Sequence, residues 1–318
     1  MLPLAFFGSG HSPNPLFLLL LAMAVEAVFG DRAILFSVLP HPKAVIGRLI
    51  RVGAAKLDRP RRSLADRRVR GGMMVAVMVA GAALAGVAVT FASHAVPHLW
   101  LFEAMVVAAF LGQRRVYRAV GEIGRALGKG QIDVARRGLA TLDAGAENVR
   151  LEPAPVAGAA VRGAGAGFAT GVLAPVVWYA LTGLPGLLAY QAAAGLDAGL
   201  GRSGPKSRAF GRAAVVFFGW FSAPTTCLAG FVVAAAAAFV PAARPARALR
   251  MAAAARRSWP EAAMVGALGL AADDRFATGA RPGAPQVRQA LSIYAVACLM
   301  AVGVVAGMLW LTLASGRS

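Results

Sequence analysis

Residues 73–92 read MMVAVMVAGAALAGVAVTFA, a run with no charged side chain. A helix needs about 20 apolar residues to cross the hydrocarbon core of a bilayer, so this stretch alone decides the solvent of the fold. A second run of that kind fills 291–314, and further apolar stretches fall near 16–29, 98–111, 172–190 and 213–240. The chain has 318 residues, 58% hydrophobic and 15% charged, with a mean hydropathy of +0.64. A soluble domain carries about 25% charged residues. The expected fold is all-α: a polytopic integral membrane protein, one domain over 1–318, with four to six membrane segments and a cytosolic helical portion.

The flanks of these runs give expectations for individual segments. Residues 1–15 hold no basic n-region or cleavage signal, so 16–29 is expected to be retained membrane structure. The segments 16–29 and 98–111 are short and carry Glu26 and Glu103. Pro175 and Gly183-Leu184-Pro185-Gly186 interrupt 172–190, which fits a broken or re-entrant hairpin. Pro224 interrupts 213–240 in the same way, and the orientation of that segment stays open.

Charge supplies the sidedness. The formal net charge is +19, and it is clustered. Residues 31–71 hold eleven Lys or Arg against three acids, 112–167 nine against five, and 241–290 eight against three, whereas 93–97 holds none. Excess Lys and Arg marks cytoplasmic loops, so the expected location is the inner (cytoplasmic) membrane, multi-pass. The charge is read as topology and contact with the lipid bilayer, and no nucleic acid is expected. Cys227 and Cys298 both lie in apolar runs and read as small buried hydrophobes.

A helical hairpin is expected near 114–142. Val116, Val120, Ile123 and Leu127 follow one helical period, and Ile132, Ala135, Leu139 and Leu142 a second. Gly128-Lys129-Gly130 separates them. The string from Gly124 to Gly130 superficially resembles a phosphate loop. It is one residue short between its glycines, and no Ser or Thr follows Lys129.

Few residues remain for chemistry. Gly30-Asp31, Leu39-Pro40-His41-Pro42-Lys43 and Gly47-Arg48 gather at the mouth of the first apolar run. Asp31 could meet a metal–phosphate ion or accept a proton; His41 sits between two prolines that restrict its backbone. Lys43 and Arg48 could meet phosphate. A proline-rich turn with interfacial charges accounts for the same residues. Asp197 follows the interrupted hairpin and could serve a metal or a substrate, or pair with Arg202. Ser258 and Glu261 have capping-box spacing with Pro260 in the first turn, so Glu261 reads as a cap or as a substrate contact.

In this order the motifs resemble the CobD/CbiB family of cobalamin biosynthesis, the adenosylcobinamide-phosphate synthases. The resemblance rests on Gly30-Asp31, Leu39-Pro40-His41-Pro42 and Ile46-Gly47-Arg48, then on Gly130 to Leu139. Gly171-Val172-Leu173-Ala174-Pro175 with Trp178, Leu196-Asp197 with Gly201, and Trp259-Pro260-Glu261-Ala262-Ala263-Met264 with Gly266-Ala267-Leu268-Gly269 complete it. It covers about 20–290. The resemblance implies an ATP-dependent ligase that joins aminopropanol, or its phosphate, to adenosylcobyric acid, with ATP and Mg2+ as cofactors. Asp31, His41 and Asp197 would then be catalytic, with Asp31 and Asp197 toward metal, and Lys43, Arg48 and Glu261 toward substrate or phosphate.

The sequence also departs from that family. Arg162 to Thr170 is Gly/Ala-rich where the family carries Glu, Asn, Thr, Ser and Asp, and Ala194-Gly195 replaces an Asn-Thr pair. Val215 to Trp220 replaces an Arg-Leu-Asp-Asp stretch, and Ala254 to Ser258 a Ser-Pro-Asn-Ala-Gly pattern. The expected alternatives are therefore a catalytically impaired member acting as a membrane subunit or corrinoid-binding partner, and a small-solute transporter.

Overall fold

The computed structural model describes residues 13–30, 42–58, 63–96, 98–142, 152–201, 208–255, 258–270 and 282–315. These residues form helices and no β-strand. In chain order they are α1 (Pro15–Phe29), α2 (Pro42–Leu57), α3 (Leu64–Ala95), α4 (Trp100–Phe110), α5 (Gln113–Gly128) and α6 (Ile132–Leu142). There follow α7 (Pro153–Phe168), the π-helical turn Ala169–Leu173, α8 (Ala174–Thr182), α9 (Leu184–Leu196) and a second π turn Asp197–Gly201. The last four are α10 (Arg208–Ala237), α11 (Pro245–Ala254), α12 (Trp259–Ala267) and α13 (Ala284–Ser315).

The protein is an all-α polytopic membrane protein. Among the described residues four stretches are long and apolar enough to cross a bilayer: Leu64–Ala95, Pro153–Thr182, Ala209–Ala237 and Ala284–Ser315. The protein covers 67% of the apolar window of Pro153–Thr182 but only 17–22% of the other three. Val77, Leu84, Trp220, Val304 and Trp310 accordingly stand exposed, as lipid-facing side chains do.

Of the breaks expected from the sequence, the one at Gly183-Leu184-Pro185-Gly186 is present and those at Pro175 and Pro224 are not. Residues 153–168, assigned to a basic loop, are helical and run through the first π turn into α8, so the span starts at Pro153 and ends at Thr182, inside 172–190. Pro175 is harmless near the start of α8, since the π turn has already altered the hydrogen-bond register. The chain turns at Gly183, within the expected interruption, and its φ of +71° suits glycine. Pro224 lies inside an unbroken α10; a proline removes one intrahelical hydrogen bond and a long helix can absorb that.

The chain divides into two compact units: residues 1–111, 174–224 and 312–318, and residues 112–173 and 225–311. In the first, α9 packs along α3, and Gly86 lets Pro185 approach so closely that a Cβ there would lie 2.6 Å from its Cα. At one end of this unit Ile50, Met74, Val75, Leu196, Leu200 and Phe210 form a core between α2, α3, α9 and α10. Toward the other end Glu103 is buried and accepts hydrogen bonds from Ser93 Oγ at 2.7 Å and Tyr179 Oη at 3.0 Å.

In the second unit α5 and α6 form a hairpin turned at Gly130, φ +70°. Val116, Val120 and Ile123 are buried along α5, and Ala135 and Leu139 along α6. Glycines of α7 make the remaining packing tight. A Cβ on Gly165 would lie 2.4 Å from Pro260 O, and one on Gly167 2.8 Å from Val116. Cys227 and Cys298 form no disulfide and are half-buried.

Candidate functional site

The helix that follows the Leu39-Pro40-His41-Pro42 motif builds the candidate site. Pro42 opens α2, where a missing N–H does no harm. Ile46, Ile50, Ala54 and Leu57 recur at helical spacing and turn onto α3 and α9. Beside that stripe Lys43, Gly47, Arg51 and Asp58 face Gln191, Gly195 and the turn Ala198–Leu200 across a cavity of about 710 Å³. Ligand sites commonly have volumes of about 300–1,000 Å³, mostly apolar walls and a few convergent polar groups.

The electrostatics favour an anion. Asp58 is the acid in the lining, and its Oδ1 lies 2.6 Å from Arg67 Nη2 and 2.8 Å from Arg67 Nε. The guanidinium of Arg67 thus neutralises it from the α3 side. Among the described residues Lys43 and Arg51 are the cations of the cavity wall. Gln191 adds an amide whose Nε2 also donates to Phe110 O at 3.4 Å.

Gly195 sets the width. A Cβ there would lie 3.1 Å from Ile46 and 3.2 Å from Ile50. The Ala194-Gly195 pair therefore lets α2 settle against α9 where a β-branched residue would hold it off.

The residues singled out from sequence separate in space. Asp31 and His41 lie outside the described residues. Lys43 lines the cavity, whereas Arg48 is exposed and lies outside the lining. Five residues turn a helix by about 140°, so Lys43 and Arg48 cannot share a face. Asp197 opens the second π turn just before the lining residue Ala198, half-buried, its carboxylate folded back toward Gly201. Glu261 sits in the first turn of α12, in the second unit, and Ser258 forms no side-chain cap there. Among the described residues no group of three or more His, Cys, Asp or Glu gathers where a metal could be held.

Arg51, Asp58 and Gln191 were not singled out from sequence. The signal for two of them was available. Lys43, Gly47, Arg51, Ala54 and Asp58 step by three or four residues, the spacing of one helical face. Gln191 stands out only as an amide in an otherwise apolar helix.

Residues 19–275 match the family model described as CobD/Cbib protein. The chain is 32% identical over 271 residues to the cobalamin biosynthesis protein CobD of Rhizobium meliloti (strain 1021), covering 81% of this chain and 82% of that protein. It is 31% identical over 275 residues to CobD of Sinorhizobium sp, covering 81% and 83%. With CobD of Brucella suis biovar 1 (strain 1330) the identity is 28% over 265 residues, covering 80% and 81%. No solved structure matches the chain.

Proposed function

Because the chain belongs to the CobD/CbiB family of cobalamin biosynthesis, we propose that it works at the step that attaches aminopropanol, or its phosphate, to adenosylcobyric acid. The reaction is an ATP-dependent amide ligation. A carboxylate is a poor electrophile; phosphoryl transfer from ATP releases ADP and makes it an acyl phosphate, and the amine nitrogen then attacks the carbonyl carbon, loses a proton and expels phosphate to form the amide. The observation that carries this reading is the cavity between α2 and α9, with Lys43 and Arg51 on its wall and its acid already paired to Arg67. A phosphorylated amino alcohol or a nucleotide suits both its size and its charge.

In this reading Lys43 and Arg51 hold phosphate, and Gln191 orients the polar end of the ligand. Asp31, His41 and Asp197 are the residues assigned to the reacting groups, and Glu261 to substrate. Magnesium would arrive with ATP, held mainly by phosphate oxygens as this ion usually is, with Asp31 and Asp197 as the carboxylates assigned to it. In this reading the cavity opens on the cytoplasmic side of an inner membrane, where ATP is found; the excess of Lys and Arg in the loops supports that orientation.

The test is turnover by purified protein in nanodiscs, given adenosylcobyric acid, aminopropanol phosphate, ATP and Mg2+, with the amide detected by mass spectrometry. Formation of the amide supports the ligase. Its absence, with folded protein that still binds the corrinoid, supports a second reading: a membrane subunit or corrinoid-binding partner without catalysis. One observation favours that second reading. The run Gly163 to Gly171 is used for packing against α12 and α5, so its small residues supply contact where the family carries polar side chains. Flux of a small solute in liposomes would instead support a transporter.

A further inference from the structure

The outward face of α2 takes no part in the cavity. Val45, Leu49 and Val52 recur at i, i+4 and i+7 and are 40%, 53% and 47% exposed. Arg48 and Lys56 lie on the same side, exposed, and neither has a side-chain partner among the described residues. The helix contains no acid. The spanning helix α3 starts at Leu64 and opens with Arg67, Arg68 and Arg70 against Asp66; Arg67 pairs with Asp58 and Arg70 with Asp66, which leaves a net positive end. Alpha2 therefore lies beside the basic end of a membrane span, packed inward by Ile46 and Ile50.

A helix facing water would carry polar residues on that outward side. Here large apolar side chains alternate with cations, the pattern of a helix lying in the interfacial plane of a bilayer. An anionic leaflet matches both components: its acyl boundary takes the aliphatic side chains, and its headgroup phosphates take the cations, whose stems can snorkel outward.

We propose that α2 is an in-plane helix whose outward face binds the anionic phospholipid surface, with Val45, Leu49 and Val52 at the acyl boundary and Arg48 and Lys56 on headgroup phosphates. The two faces of α2 thus serve different partners: a ligand inside, lipid outside. This assignment stands without the ligase reading, because none of its residues lines the cavity.

The experiment uses the full chain with Cys227→Ala and Cys298→Ala and a bimane label at Leu49→Cys. A second preparation carries the label at Lys129→Cys, in the exposed turn after α5. Both are placed in nanodiscs of phosphatidylcholine, alone or with phosphatidylglycerol, and quenched by brominated lipid chains or by iodide. The expected result is lipid quenching at position 49 and iodide quenching at 129. Phosphatidylglycerol among co-purifying lipids should be enriched in the parent and fall by up to about thirtyfold in Arg48→Gln/Lys56→Gln, which keeps both side chains polar and the helix intact. Iodide quenching at 49 equal to that at 129 would overturn the proposal, as would lipid enrichment indifferent to the two cations. A label at 49 shielded from both quenchers would assign the face to a protein partner or a second copy, and overturn it too.

Discussion

Asp58, the last described residue of the α2 segment, is tied at 2.6 Å to Arg67 in the second turn of α3, with only 13% and 8% of the two side chains exposed. The ion pair thus ties the end of the cavity wall to a spanning helix, beside the apolar contacts of Ile50 with Met74 and Val75. Removing one partner of a buried pair leaves an uncompensated charge and costs about 3–5 kcal/mol. Arg67→Ala should therefore lower the thermal midpoint in detergent by several degrees. Asp58→Asn/Arg67→Met, which removes both charges, should recover most of the loss. An equal loss in single and double variants would mean that packing rather than charge is at stake.

Arg51 and Arg48 are three residues apart, but only Arg51 borders the cavity. Losing a charge-assisted hydrogen bond costs about 1.5–3 kcal/mol, or about 10–100-fold in affinity. Arg51→Ala should weaken binding of aminopropanol phosphate or ATP by that factor in calorimetry, while Arg48→Ala leaves it unchanged. Arg51→Lys should restore part of the affinity, since it returns the charge but not the planar fork. Equal effects at 48 and 51 would remove the cavity from the binding site.

The architecture was legible because the bilayer asks for length and hydrophobicity, which 73–92 and 291–314 display openly. Segment boundaries were less so. Residues 153–168 carry Pro and Gly and adjoin charged sequence, yet they form a helix because α5, α6 and α12 cover it; tertiary contact outweighs propensity there. The site was half legible. Lys43 was found by its motif, whereas Arg51 and Asp58 carry no motif and are marked only by helical phase. Gln191 becomes visible only when α9 is laid against α2. Glu261, five residues before Gly266 in a recognisable string, lies in a different unit from the cavity, a separation that spacing along the chain does not encode.

The contact of Gly86 with Pro185 gives a test of the α3–α9 packing. Gly86→Ala would place its Cβ 2.6 Å from a backbone atom, and backbone cannot rotate away as a side chain can. The variant should be clearly destabilised, and Gly86→Leu should fail to accumulate. Gly81, on the same helix, has open space around it. Gly81→Ala should be neutral or slightly stabilising, by up to about 1 kcal/mol from helix propensity. A comparison of thermal midpoints distinguishes close packing from a general intolerance of α3 to change.

Glu103 supplies the last test. Its carboxylate is buried with Ser93 and Tyr179 as donors, joining α3, α4 and α8. A buried polar group deprived of one partner loses about 1–3 kcal/mol. Tyr179→Phe should destabilise by that order and Ser93→Ala by less, since Ser93 Oγ is shared with Thr90 O at 2.8 Å; Glu103→Ala should cost more than either, because it removes the acceptor of both hydroxyls and leaves that of Tyr179 unpaired. Because both donors meet one acceptor, the losses should not add: the Tyr179→Phe/Glu103→Ala double variant should be less destabilised than the sum of its singles. If Glu103 is a structural junction, these variants shift the thermal midpoint and leave ligand affinity at the α2 cavity unchanged once the protein is folded. Loss of solute flux in liposomes at unchanged midpoint would instead make Glu103 part of a transport path.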